Sequence, residues 1–156
     1  MAIIDSLTLL SGAVNPATNA LSGQSITTGS ILSTNTLDLQ AKRDLGQGGA
    51  IPFVFKALTS FASMTSVELQ IVVADDAALT TNVTVVGSSG AIPVAQLTQG
   101  STWAVKVNPR MTIPVRRYLG ARYVVVGTGT GSISCAIGDI DNPTEKSSYS
   151  AGFSVI

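Results

Sequence analysis

The 156-residue sequence contains no histidine and a single cysteine, Cys135. Without histidine it lacks the side chain that most readily moves protons near neutral pH, so Ser-His-Asp and Cys-His chemistry are excluded. One cysteine cannot close an intrachain disulfide, and together with the missing histidines it leaves no ligand set for zinc. Charge is scarce as well: 12% of residues are Asp, Glu, Lys or Arg, about half the ~25% usual in soluble domains. Nine Lys and Arg balance nine Asp and Glu. With the basic residues scattered singly except at Lys42-Arg43 and Arg116-Arg117, no basic stripe can follow a phosphate backbone, and nucleic acid is not expected as a partner. No apolar run approaches the ~18 residues that span a bilayer, so no membrane contact is expected. The start, Met1-Ala2-Ile3-Ile4-Asp5, lacks a positive region and does not read as a signal peptide. Synthesis and use in the cytoplasm, with Cys135 reduced, are the expectation.

What remains is apolar, 45% of residues, set among Ser, Thr, Gly and Gln. A neutral exterior with zero net charge has no colloidal repulsion, which describes a subunit meant to be assembled. The length suits one domain with a core that forms without staples. Residues 1–35 are uncharged apart from Asp5, rich in Ser, Thr, Asn and Gly, and read as an extended N-terminal arm with one strand over 6–10. The body is expected over residues 36–156.

Within the body, short runs alternate in character: 51–58, 66–74, 82–86, 102–107, 117–126 and 132–137. Period two is cleanest where Val67, Leu69, Ile71 and Val73 oppose Glu68 and Gln70, where Trp103, Val105 and Val107 oppose Lys106, and where Ile133, Cys135 and Ile137 oppose serines. The indole of Trp103 is therefore expected in the core, and Cys135 as a small inert core residue. Turn formers punctuate the runs at 46–49, 74–76, 87–90, 108–110 and 127–131. The expectation is an all-β, antiparallel sandwich of about eight strands, which permits a jelly roll as well as an immunoglobulin-like arrangement.

Candidate sites are few. The glycine-rich stretches 46–49 and 127–131 do not continue into a Gly-Lys-Ser/Thr phosphate cradle and read as turns. Asp75-Asp76 reads as a turn, and the sequon at Asn82-Val83-Thr84 falls in an expected strand. Asp139, Asp141 and Glu145 form the best acidic cluster, beside the loop signal Asn142-Pro143. A hydrolase reading would need Asp139 and Asp141 about 5 to 10 Å apart. No cofactor and no catalytic residue are expected. Two segments concentrate charge: 37–48, and the strand from Arg116 to Val124, which carries three of the five arginines. Arg and Asp there either pair internally to tie the arm to the sheet or present a contact surface. The residues expected at such an interface are Arg43, Asp44, Arg116 and Arg117.

The same segments carry a resemblance. The order Asn35-Thr36-Leu37-Asp38-Leu39 with Arg43-Asp44-Leu45-Gly46 and Gly48, then Ser89-Gly90-Ala91-Ile92-Pro93 with Leu97-Thr98 and Gly100, then Arg117-Tyr118-Leu119 and Tyr123, ending Tyr149-Ser150-Ala151-Gly152-Phe153-Ser154-Val155, resembles the capsid cement (decoration) proteins of short-tailed bacteriophages. It runs from about Leu37 to the end, and Gly120 stands where a larger residue is expected. The resemblance implies a jelly-roll body on the outer capsid surface of a virion, at capsomer junctions. It also implies no catalysis, and as partners the major capsid protein and the chain itself, as a homodimer or homotrimer. The competing class is a carbohydrate- or receptor-binding jelly roll, against which the scarcity of aromatics argues.

Overall fold

Alternating apolar and polar residues form strands where one face can be buried. The computed structural model describes residues 8–18, 20–42, 50–107 and 115–138 and is β-structure almost throughout. Among these residues are strands β1 (Leu9–Ser11), β2 (Ala13–Val14), β3 (Leu21–Ser22), β4 (Gln24–Ser25), β5 (Thr28–Leu32), β6 (Leu37–Asp38), β7 (Ile51–Ala74), β8 (Thr84–Pro93), β9 (Thr102–Val107) and β10 (Tyr118–Ile137), with a single 3-10 turn at Val94–Gln96. All but β2 and β3 join one eight-stranded antiparallel sheet; those two form a separate ribbon.

The all-β, antiparallel expectation with about eight strands holds, but the strands are divided differently. Runs 51–58 and 66–74 are one strand, β7, of 24 residues, and runs 117–126 and 132–137 are one strand, β10, of 20. The stretch 127–131, expected as a turn, lies inside β10, where the register against β7 shifts at four successive points between Val126 and Ile133. Extra residues on one strand of a pair bend and twist it, so the two long strands turn together. Glycine is required there because β10 passes close over β7: a Cβ on Gly131 would lie 2.5 Å from the Phe61 ring. Likewise 87–90 lies within β8, whose pairing with β7 is irregular at two places.

The shared bend turns one sheet into two facing halves. In the first, the start of β7 pairs β9 and the end of β10, which also carries β1 and β4. In the second, the end of β7 pairs β8 and the start of β10, which also carries β5 and β6. Phe55 of the first half meets Tyr123 of the second edge to face, with ring centroids 6.0 Å apart. Around them pack Leu10, Val67, Leu69, Ile71, Val105 and Ile133, all buried. Along one side the halves are stitched together: Asn35 donates its backbone N–H to the Leu10 carbonyl at 2.9 Å and its side-chain amide to that of Leu9 at 3.0 Å.

Residues of the expected arm are part of this body. β1, β4 and β5 pair with β10, and Leu9, Leu10 and Ile26 are at most 3% exposed. The Tyr123 hydroxyl donates to Ser11 Oγ at 2.6 Å, both side chains buried, and removing either partner would orphan the other at a cost of about 1 to 3 kcal/mol. Strands of two to five residues are too short to display a period, which is why composition alone suggested an arm. On the outer face of β7, Val72 and Ala74 are also buried, beneath Leu79 of the loop that follows.

Burying each of Leu9, Leu10 and Ile26 contributes about 1.5 to 3 kcal/mol, a sum comparable with a domain's whole stability of about 5 to 15 kcal/mol. Deleting residues 1–30 is therefore expected to abolish the cooperative thermal transition followed by circular dichroism, rather than leave a folded body.

Candidate functional site

Charge gathers where the second half of the sandwich begins. Leu37 and Asp38 of β6 lie opposite Leu119 and Tyr118 of β10, so two segments that carry the resemblance are hydrogen-bonded neighbours. Arg117 donates from Nε and Nη2 to the two oxygens of Asp38, both at 2.8 Å, and its guanidinium carbon sits 5.1 Å from the centre of the Tyr118 ring. This bidentate fork, with the Gln40 backbone N–H at 2.7 Å, brings the Asp38 carboxyl from 3.8 down to about 2; Arg117 is raised in return.

Arg116 faces another partner. Its Nη1 donates to Asp75 Oδ2 at 3.0 Å, the Asn82 amide donates to the same oxygen at 2.9 Å, and Lys42 Nζ stands 3.6 Å from Oδ1. The Asn82 hydrogen bond is the largest cause holding Asp75 below its usual range, followed by the charges of Arg116 and Lys42. Asp76 accepts from the backbone N–H groups of Thr80 and Thr81 and from the Thr80 hydroxyl, which lowers its carboxyl too. These bonds close the loop after β7. Leu79, in the left-handed region at φ 54°, plugs that loop onto the sheet. Gly120 makes this fit, since any Cβ there would collide with the Leu79 side chain. The glycine noted in the sequence is thus a socket.

Of the four residues expected at an interface, Arg116 and Arg117 lie at one end of the sandwich, each in an intrachain ion pair, while Arg43 and Asp44 lie outside the described residues. So do Asp139, Asp141 and Glu145. Among the described residues no group of three or more His, Cys, Asp and Glu could hold a metal ion, and no helix is long and apolar enough to cross a membrane. Cys135 is fully buried and its thiol is pushed up by burial, which suits an inert core residue. Trp103 points toward the core as its alternation requires but is only partly buried, because β9 is an edge strand paired to β7 alone.

One cluster escaped the sequence reading. Arg122 Nε donates to Gln70 Oε1 at 2.7 Å, Gln70 Nε2 donates to Glu68 Oε1 at 2.8 Å, and Ser88 Oγ donates to the same oxygen at 2.5 Å. The chain crosses β10, β7 and β8 on the outer face and lowers the Glu68 carboxyl, the Gln70 bond contributing most. Alternation placed Glu68 and Gln70 on that face, but the register that brings Arg122 opposite Gln70 is not visible in sequence. A cleft of about 410 Å³ beside the β2–β3 ribbon is lined by neutral groups, among them Leu9, Val14, Gln24, Thr34 and Asn35. Its two carboxamides are engaged, Gln24 with the Leu32 carbonyl and the Thr34 N–H and Asn35 with the Leu9 carbonyl, and the residues that line it carry no titratable side chain.

Residues 21–137 match the model of the Bbp16 family. The chain belongs to the Bbp16 family. The matched span begins at β3 and ends with β10, so the Bbp16 unit includes residues 21–35 of the segment that composition set apart as an arm. No curated protein matches the chain.

Because the Asp38 carboxyl is depressed, its pairing with Arg117 stabilises the fold above pH 3.8 and is lost as pH falls toward 2. The lowered Glu68, Asp75 and Asp76 act in the same direction. The melting temperature is expected to drop across that window, and Asp38→Asn to start lower at pH 6 and fall less steeply, as thermal melts at a series of pH values would record.

Proposed function

We propose that this Bbp16-family chain is a non-enzymatic structural protein that binds the outside of a phage capsid at capsomer junctions and stabilises the shell as cement. The observation that carries the reading is the arrangement of charge: Asp38, Asp75, Arg116 and Arg117 are held in ion pairs within the chain, leaving a largely neutral exterior of hydroxyls, amides and small apolar groups. Such a surface suits burial against a repeating protein lattice, where many modest contacts add through avidity. The resemblance of segments 35–48, 89–100 and 117–123 to phage cement proteins points the same way. In this reading the partners are the major capsid protein and further copies of the chain, the place of action is the virion surface, and no cofactor takes part. Arg116 and Arg117 then act as struts that keep the end of the sandwich in shape.

The test pairs two measurements: co-sedimentation with capsids assembled without this protein, and thermal melting of the free chain. The wild type is expected to saturate at a fixed ratio to the capsid protein. Arg116→Glu, which sets a carboxylate against Asp75, is expected to lower the melting temperature. Absence of co-sedimentation together with binding to immobilised glycans would replace this reading with the carbohydrate-binding one.

A further inference from the structure

The charges of the described residues are distributed unevenly. Asp38, Lys42, Asp75, Asp76, Arg116 and Arg117 gather at one end of the sandwich, and Lys56, Glu68, Lys106 and Arg122 lie along the strands. Among the described residues, the opposite end, where β7 and β10 bend, is built from 27–30, 59–65, 94–100 and 126–132, none of which is charged. Val126, at 53% the most exposed large apolar side chain among the described residues, is part of it. Its hydroxyls are braced rather than loose: Thr59 bonds Ser132 at 3.0 Å, Thr28 donates to the Gly127 carbonyl at 3.1 Å, and Ser60 accepts the Gln99 N–H at 2.9 Å. Groups already fixed lose little entropy on contact, so this end is preorganised for binding. One backbone edge is open beside it. Ser33 N–H bonds Ala121, so by antiparallel alternation Ile31 and Gly29 also turn toward β10 and the N–H and C=O of Ser30 turn outward.

We propose that this uncharged end is the face that seats on the shell, and that the partner surface it covers is itself an uncharged, hydrogen-bonding protein surface. The inference rests on the cement reading above. Charge matching carries the choice of occupant: a face without charge offers nothing to a charge buried beneath it, and an unpaired buried charge is strongly unfavourable. The charged end is the poorer candidate because its arginines are already paired within the chain.

Attachment to capsids assembled without this protein is measured from about 0.05 to about 0.5 M NaCl, a range that collapses the screening length of surface charge. Wild-type attachment is expected to change by less than about twofold. Val126→Arg and Thr128→Arg, both at exposed positions of the uncharged end, are expected to weaken it about tenfold or more at unchanged melting temperature; Ala77→Arg, exposed at the charged end, leaves it intact. Thr128→Arg decides the matter if Val126→Arg lowers the melting temperature. Normal attachment of both arginine variants, equal loss in all three, or a steep fall with salt would overturn the face assignment while the cement reading stands. Failure of the wild type to attach would remove both.

Discussion

The structure depends on a bend shared by two paired strands. Straight, the 24 residues of β7 would reach about 80 Å at ~3.3 Å per residue, and Phe55 and Tyr123 could not meet. They meet because β10 slips register four times between Val126 and Ile133, and because glycine lets it cross Phe61 without a side chain in the way. The bend sets the two ends of one sheet face to face, and every other element uses the edges it creates. β1 and β4 take the edge of β10 beyond the bend, and β5 and β6 take the same edge before it. The Asn35 bonds to Leu9 and Leu10 then stitch the two halves along that side.

This explains how much was legible in the sequence. The alternation of Val67, Leu69, Ile71 and Val73, and of Ile133 and Cys135, predicts buried faces that are found buried, because those stretches lie in long regular parts of the sheet. The glycines at 127–131 were read as a turn because local sequence cannot distinguish a turn from a bulged strand that stays paired. The segment before residue 36 was read as an arm because strands of two to five residues leave no period, although Leu9, Leu10 and Ile26 supply core. The site divides in the same way. Internal pairing of Arg116 and Arg117 with carboxylates was one of two readings of the charged segments; which carboxylates followed only from the fold, since Asp38 is 79 residues from Arg117. Leu79 gave no signal at all, being a single leucine between Ala77-Ala78 and Thr80-Thr81 in a loop, where it is buried through the space at Gly120.

The distribution of charge links fold to function. Ionic groups at one end serve the fold, pinning β6 and the loop after β7 to the start of β10, while the bend leaves an end that is neutral and internally braced. In the cement reading these charges serve the fold alone, and the neutral surface is suited to close, repeated contact. That is the physical content of the cement reading, and it depends on the N-terminal segment being a permanent part of the sheet, because β5 and the Thr28 brace form one border of the neutral end.

Amide hydrogen exchange of the free chain, read peptide by peptide, tests that dependence most directly. The account predicts that paired amides in 9–11 and 24–32 exchange slowly, in step with those of β7 and β10, because they open only when the sheet opens. Exchange of 9–32 at the rate of an unstructured chain, beside protected β7 and β10, would contradict it and return the segment to a separate arm.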